Sequence, residues 1–455
     1  MPTAYTILFL LLILVAAATW IIPAGSYDYV DGVPVAGTYH TVEQNPQGVG
    51  DVLKAAFSGF YDAVDVCIFI LMVGGFLGVV MKTGAVDAGV ANIIRLLGGR
   101  EKWLIPILML LFGLGGTTYG MWEETMAFYP LLIPVFLAAG YDAVVGISVI
   151  LLGAGAGVIA STVNPFATGI AAGFAGVSLG EGIVLRLLEW VAFEAAAIWF
   201  VMAYAAKVKK NPSKSVVGVG AGKIQVSMDQ QVPFTAKRKV IMALFTLTFL
   251  IMVYAVVPFD EMGLPLPTLG WWFPELSALF LVGGVVIGLI DRMSEEELVE
   301  IYVAGCADLL GVAFIIGISR GITVLMNDGS ITDTVLHWGE QALSGAGAIS
   351  FTLLVFALYL PLTILIPSSS GLATLSIPIV APLGKFAGVG GDLVVTAFQS
   401  ASGLVNIITP TAAVLMGALA LGHVPYDRWV KYVWKLMLWF LLLALAFLVA
   451  GVLLG

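Results

Sequence analysis

The same polar interruption occurs twice in this 455-residue chain, once in each half, inside sequence that is otherwise apolar enough for a membrane interior. In the first half a Gly/Thr break, 115–120, leads through Glu123 and Glu124 to Pro130-Leu131-Leu132-Ile133-Pro134, then to a second break at Ser161-Thr162-Val163-Asn164-Pro165. In the second half Ser368-Ser369-Ser370-Gly371 leads to Pro378-Ile379-Val380-Ala381-Pro382 and then to Asn406-Ile407-Ile408-Thr409-Pro410. Hydrophobic segments broken at corresponding places in two halves point to the binding site of a secondary transporter. The chain is 60% hydrophobic and only 11% charged, against about 25% charged for soluble domains, so it reads as an all-α polytopic membrane protein.

Lys and Arg are retained on the cytoplasmic side during insertion, which fixes the expected topology. Residues 25–51 carry Asp28, Asp31 and Glu43 without a Lys or Arg and are expected outside. The stretch with Lys82, Arg95, Arg100 and Lys102 is expected inside, as is the linker with Lys207, Lys209, Lys210, Lys214, Lys223, Lys237, Arg238 and Lys239 against Asp229. Residues 327–345, with Asp328, Asp333 and Glu340, are expected outside, and Arg428 and Lys431 mark a final inner turn. A span opening at Tyr61-Asp62 and closing near Lys82 then runs opposite to one opening at Ala307-Asp308 and closing near Asp328, so the halves are expected to be repeats of inverted topology. The first repeat covers 1–207, a cytoplasmic linker 208–239, and the second repeat 240–455, with re-entrant hairpins at 103–140 and 349–388. Nine full spans are expected, at 5–23, 62–81, 142–173, 182–206, 240–257, 271–290, 304–326, 392–421 and 433–454. Those at 142 and 392 are broken by Pro165 and Pro410, because proline frees carbonyls at membrane depth. The N-terminus is expected in the cytoplasm and the C-terminus outside.

Inverted symmetry would bring the two hairpin tips and the two breaks together near the bilayer midplane. Thr117, Thr118, Ser161, Thr162 and Asn164 and their counterparts Ser368, Ser369, Ser370, Asn406, Thr409 and Thr411 would surround one site. Hydroxyls, amides and loose carbonyls suit a sodium ion, with Ser161, Thr162, Asn164, Ser368 and Asn406 as its candidate ligands, and the helix N-termini that follow suit a carboxylate. The competing reading of such small polar residues is close helix packing. A carboxylate within a membrane segment is a functional hypothesis by default, so Glu123 and Glu124 are candidates for holding a substrate amine, for carrying a proton, or for capping the following helix. Arg320, well inside a span, calls for an anionic partner: a substrate carboxylate, one of the glutamates, or else an escape to the outer interface. Glu194 is a weaker candidate for proton carriage, with a hydrogen bond between helices as its expected role. Cys67 and Cys306 lie in apolar runs and read as small buried residues rather than as a disulfide or metal site. A channel would need a continuous polar pore and an intramembrane enzyme a nucleophile with its base. His40, His337 and His423 fall in loops or near interfaces, which argues against both. Nothing is arranged for nucleic acid.

At these residues the chain resembles the anaerobic four-carbon-dicarboxylate carrier family of the ion transporter superfamily, in particular the branch described as basic amino-acid (arginine/ornithine) antiporters. The stretches that carry the resemblance are Thr19-Trp20-Ile21-Ile22-Pro23-Ala24-Gly25, the run 112–125 that includes Thr117-Thr118-Tyr119-Gly120-Met121-Trp122-Glu123-Glu124, Ser161-Thr162-Val163-Asn164-Pro165-Phe166, Ser319-Arg320-Gly321-Ile322, and Ile408-Thr409-Pro410-Thr411. The resemblance implies a bacterial inner-membrane carrier, a homodimer with a fixed scaffold and a transport region that moves in elevator fashion, with sodium or protons as the coupling ion. Dicarboxylate members carry Ser-Asn-Thr at both tips, where this chain has Thr117-Thr118-Tyr119 and Ser368-Ser369-Ser370. Two acids beside a dianion would also cost several kcal/mol of repulsion unless neutralised. The expected cargo is therefore an amino acid, a basic one such as arginine or ornithine. It would be held by Glu123 and Glu124 at its amine or guanidinium and by Arg320 at its carboxylate. A sodium-coupled dicarboxylate carrier is the alternative.

Overall fold

The structure is a computed structural model and describes residues 4–31, 33–86, 88–89, 92, 100–118, 120–178, 180–218, 233–256, 259 and 265–454. Arg95, Tyr119, Lys223 and Asp229, on which parts of the topology and motif reading rest, lie outside the described residues. Among those described, six helices are long and apolar enough to cross a membrane, and two shorter apolar helices accompany them.

The first group of helices is built on glycine. Helix α1 (Ala4–Ala18), α2 (Val49–Asp62) and α3 (Val64–Lys82) pack around α11 (Glu295–Asp328), with α9 (Ala236–Val256) and α10 (Phe273–Asp291) outside α3. A Cβ on Gly74 would come within 2.5 Å of the Gly305 carbonyl, and one on Gly321 within 2.7 Å of the Ala55 carbonyl. Backbones in lipid approach this closely only through small residues, where dispersion replaces the absent hydrophobic drive. Phe69, Phe76, Phe249 and Phe280 then fill the space between α3, α9 and α10.

Helix α11 corrects the expected span at 304–326. It is one unbroken helix of 34 residues, begun by the Ser294 side chain accepting the Glu297 N–H and by three acids in its first turn. At 1.5 Å per residue it is about 51 Å long, well beyond the roughly 30 Å hydrocarbon core. The first expected span, 5–23, is likewise shorter, ending as a helix at Ala18.

The second group contains every interruption named above. Helix α4 (Leu104–Thr118) ends at the Gly/Thr break, a 3-10 turn (Glu123–Phe128) follows, and α5 (Tyr129–Ala138) leaves it. Helix α6 (Ala143–Ile159) is buried at every residue, stops at Ala160–Asn164, and resumes through a π turn (Pro165–Gly169) into α7 (Ile170–Ala175). Helix α8 (Ile183–Lys210) then leads toward the linker, whose segment 219–232 lies outside the described residues. In the second half α12 (Thr332–Leu343) is followed by α13 (Ala348–Leu365) and α14 (Ser369–Ala387). After these come α15 (Gly391–Asn406), the break 407–412, α16 (Ala413–Leu421) and α17 (Tyr426–Leu454). The two broken helices meet: Gln399 on α15 donates to the Val158 carbonyl at 2.7 Å, and a Cβ on Gly403 would fall 2.7 Å from Ile159.

The two hairpin segments differ. The arms of the first are 15 and 10 residues long, whereas α13 and α14, at 18 and 19, are each long and apolar enough to cross a membrane. Helix length alone therefore does not distinguish the expected re-entrant hairpin at 349–388 from two spans.

Outside the helices, residues 25–41 form two short antiparallel pairs, Gly25–Ser26 with His40–Thr41 and Tyr29–Val30 with Val33–Pro34. They are fastened to α12: the Tyr27 N–H and the Tyr29 hydroxyl donate to Asp333, and the Tyr27 hydroxyl donates to Glu340. Burial pushes both phenols up from the usual tyrosine range, helped by Glu340 and Asp333 at Tyr27 and by Asp333 at Tyr29.

Candidate functional site

Each break frees backbone carbonyls that have no helical N–H to accept, and buried carbonyls in a membrane protein must find donors. At the first break the Thr117 hydroxyl donates to Ala160 O at 2.8 Å. The Thr162 N–H and hydroxyl donate to Thr117 O at 2.8 and 2.9 Å. The two breaks of the first half are thus clamped together by Thr117 and Thr162, which are spent on each other. Asn164 accepts the Ala167 N–H and lies against Gly120, whose positive φ of 78° and lack of a Cβ permit the approach. At the second break Tyr426 donates to Ile408 O and Trp429 to Ile407 O, at 2.6 and 3.0 Å. Thr409 and Thr411 hydrogen-bond each other at 2.9 Å. Tyr426, Trp429 and Gln399 were missed by the sequence reading. They look like ordinary helix residues, and only the positions of the freed carbonyls assign them.

A cavity of about 40 Å³ lies where the two helix groups meet. The 3-10 turn contributes Trp122 and Glu123, α11 contributes Ser319 and Arg320, the start of α14 contributes Pro367, and the second break contributes Asn406 and Thr411. Four of the residues singled out from sequence therefore share one cavity: Glu123, Arg320, Asn406 and Thr411. The others do not line it. Glu124 is buried and accepts the Trp122 N–H at 3.1 Å, which is the capping role among those open to it. Thr118 donates back to Leu114 O within α4. Ser368 caps α14 by accepting the Gly371 N–H, with Ser370 beside it and Ser369 in the same first turn. Arg320 has an ion-pair partner that was not foreseen, Asp62 at the end of α2, at 3.7 Å.

Of the five residues expected to hold sodium, Ser161, Thr162 and Asn164 cluster at the first break, while Ser368 and Asn406 stand at the other tip and in the cavity. Thr162 is engaged with Thr117, but the Ser161 hydroxyl is fully buried without a hydrogen-bond partner, as is that of Thr168 in the π turn that follows. Those two oxygens are the buried hydroxyls at the break with capacity to spare. Glu194 corrects an expectation outright: it makes no hydrogen bond between helices, and both of its oxygens are buried without a partner.

A second, wider cavity of about 1290 Å³ runs along the same two helices toward the end marked by Asp308, Arg428 and Lys431. Its α11 lining, Val312 and Ile315, continues directly into Ile316 and Ser319 of the small cavity. On α16, Met416 stands next to Val414 and Ala413 in the same way.

Apolar helices in two groups, with a polar cavity at their junction and breaks whose carbonyls are satisfied internally, define a multi-pass membrane transporter. The model of the DcuC family, C4-dicarboxylate anaerobic carrier, matches residues 1–453, and the chain belongs to that family. An uncharacterized protein of Haemophilus influenzae (strain Rd) is 35% identical over 99% of this chain and 97% of its own length. An Escherichia coli K12 protein named "Putative basic amino acid antiporter YfcC" is 31% identical over 95% of this chain and 92% of its own. Among solved structures, the YdaH transporter of Alcanivorax borkumensis aligns over 98% of both chains at 14% identity and a TM-score of 0.44. MtrF of Neisseria gonorrhoeae aligns over 98% of this chain and 94% of its own at 18% identity and a TM-score of 0.44.

Proposed function

We propose that this transporter works by alternating access and carries an amino acid, a basic one such as arginine or ornithine, across the bacterial inner membrane, coupled to an ion or by exchange. The observation that carries the reading is the pairing of opposite charges in one small cavity. Glu123 stands ready for an ammonium or guanidinium and Arg320 for a carboxylate, with Asn406 and Thr411 as neutral hydrogen-bonding groups. A zwitterion with a cationic side chain matches that set, and charge-assisted hydrogen bonds to it are roughly twice as strong as neutral ones. The name of the E. coli relative supports the same choice.

In this reading the two halves are inverted repeats, the helices around α11 form the fixed scaffold, and those around α6 and α15 form the moving region. The wide cavity is the cytoplasmic approach, because it ends among Arg428 and Lys431. Ser161 and Thr168 are the oxygens with which a coupling sodium would begin its shell. The second reading, a sodium-coupled four-carbon-dicarboxylate carrier, is favoured by the family's description and by Arg320.

A thermal-shift series on detergent-purified protein separates the two, since a ligand raises stability by RT ln(1 + [L]/Kd). Arginine, ornithine, succinate and fumarate would be compared in sodium and in potassium. Stabilisation by arginine or ornithine that Glu123→Gln removes supports the amino-acid reading. Stabilisation by succinate in sodium alone replaces it with the dicarboxylate one.

A further inference from the structure

Helix α8 carries two acids that the substrate cavity does not use. Glu189 is fully buried and accepts a hydrogen bond from Ser400 on α15 at 2.9 Å. Glu194, 2% exposed, has neither oxygen in a hydrogen bond. It lies over Gly113 of α4: a Cβ there would fall 2.5 Å from Glu194 Oε2 and 3.2 Å from the Trp190 indole nitrogen. Gly113 in turn packs its carbonyl onto Gly157 of α6, so the carboxyl sits where α4, α6 and α8 come closest.

Among the described residues, the helices packed against it place no cation beside the carboxyl. Helices α4 and α6 bear no ionisable side chain. On α17 the ionisable residues, Tyr426, Asp427, Arg428, Lys431, Tyr432 and Lys435, all precede Phe440, whose ring packs on Phe193 at 4.7 Å and so marks the level of Glu194. On α8 itself Arg186 and Glu189 stand eight and five residues earlier, about 12 and 7.5 Å along the axis. A buried carboxylate with no cation beside it and no hydrogen bond costs several kcal/mol, which protonation avoids.

We propose that Glu194 is a proton-binding site, a neutral carboxylic acid in this conformation that must meet water to release its proton. Ionisation therefore requires α4 and α8 to part at Gly113. Helix α4 runs from Gly113 through the Thr117 clamp to the turn that holds Glu123, so proton release at Glu194 loosens the arm that presents Glu123 to the cavity. That coupling rests on the transport reading above, whereas the neutral acid does not.

The test uses full-length protein in lipid and needs no substrate. Infrared difference spectra at pH 7 between wild type and Glu194→Gln are expected to show loss of one protonated-carboxyl C=O band, and Gly113→Ala is expected to shift that band by pressing on the carboxyl. Superimposable spectra in the carboxylic-acid region would mean that Glu194 is ionised and would overturn the proposal. Amide hydrogen exchange of the α4 peptide, corrected for the intrinsic pH dependence, is then followed to alkaline pH. Extra opening in wild type that Glu194→Gln abolishes supports the coupling. Equal behaviour of the two overturns it, even if the acid is neutral. Gly113→Ala keeps the ionisable group, so its exchange must retain a pH dependence, which guards against a Glu194→Gln variant that merely misfolds. Failure of arginine to stabilise the protein would count against the substrate reading and leave both of these readouts intact.

Discussion

The helices around α11 and those around α6 and α15 solve the membrane's constraints in opposite ways. Around α11 the backbone is continuous, glycines let helices touch, and phenylalanines fill the rest. Among the described residues of α1–α3 and α9–α11, no buried side-chain nitrogen or oxygen lacks a hydrogen-bond partner. Around α6 and α15 the backbone is broken, the freed carbonyls are satisfied by side chains, and Tyr129, Ser161, Thr168, Glu189, Glu194 and Gln399 each keep a buried polar atom without a partner. Such atoms cost free energy in a static structure. Their confinement to one group is what the proposal of a ligand- and proton-handling group working against a passive one rests on. The small cavity lies where the two meet, and Glu123 and Arg320 both line it.

The sharpest way to break this comparison is to remove charge at the junction. Glu123→Gln is expected to abolish measurable ligand stabilisation, since losing one partner of a buried charge pair costs about 2–5 kcal/mol, a roughly 30- to 5000-fold loss of affinity. Melting of the unliganded protein should change little. If ligand affinity survived, the cavity would not be the binding site. A second test addresses the first helix group. Gly74→Ala places a methyl 2.5 Å from the Gly305 carbonyl and is expected to destabilise the protein by about 1–3 kcal/mol, read as a lowered melting temperature without altered ligand affinity. Altered affinity at unchanged stability would contradict a passive role for that group.

Much of this division was legible in sequence, because the signals are chemical punctuation. Pro165, Pro410 and the Gly/Thr and Ser/Gly runs cannot continue a helix in lipid without consequence, so the breaks could be located from residue types. Glu123 and Arg320 stood out because ionised groups are costly there. What could not be read is whatever depends on who packs against whom. Asp62 marked the opening of a span, yet its carboxylate faces Arg320 on a helix more than 200 residues away. Thr117 and Thr162 had the composition of ligands, and geometry makes them a clamp. Glu194 fitted an interhelical hydrogen bond, and only the absence of any bond to its two buried oxygens reveals otherwise. The length of α11 was underestimated because the amphipathic acidic turn at Glu295–Glu297 resembles a loop when read by hydropathy alone.

The clamp provides an intermediate effect. Thr117→Val keeps the volume but removes the donor to Ala160 O, leaving a buried carbonyl at a helix end unsatisfied, for about 1–3 kcal/mol. Because the clamp joins two breaks of the second group, both melting temperature and ligand affinity should fall together. A loss of stability alone would place the clamp in the framework rather than in the site.

The smallest effect is expected at Asp62. Its carboxylate is half exposed and its separation from Arg320 Nε is 3.7 Å, the geometry of a pair worth about 0–1 kcal/mol. Asp62→Asn should therefore leave the melting temperature almost unchanged. It should nevertheless move ligand affinity in a direction that depends on the cargo, because it frees the guanidinium. A ligand whose carboxylate engages Arg320 no longer competes with Asp62 and binds more tightly, whereas a ligand held only by Glu123 is indifferent. The same substitution measured with arginine and with agmatine, which lacks the carboxylate, thus isolates what Arg320 contributes. Equal changes for both would remove Arg320 from the site and leave the junction of the two groups with a single charge.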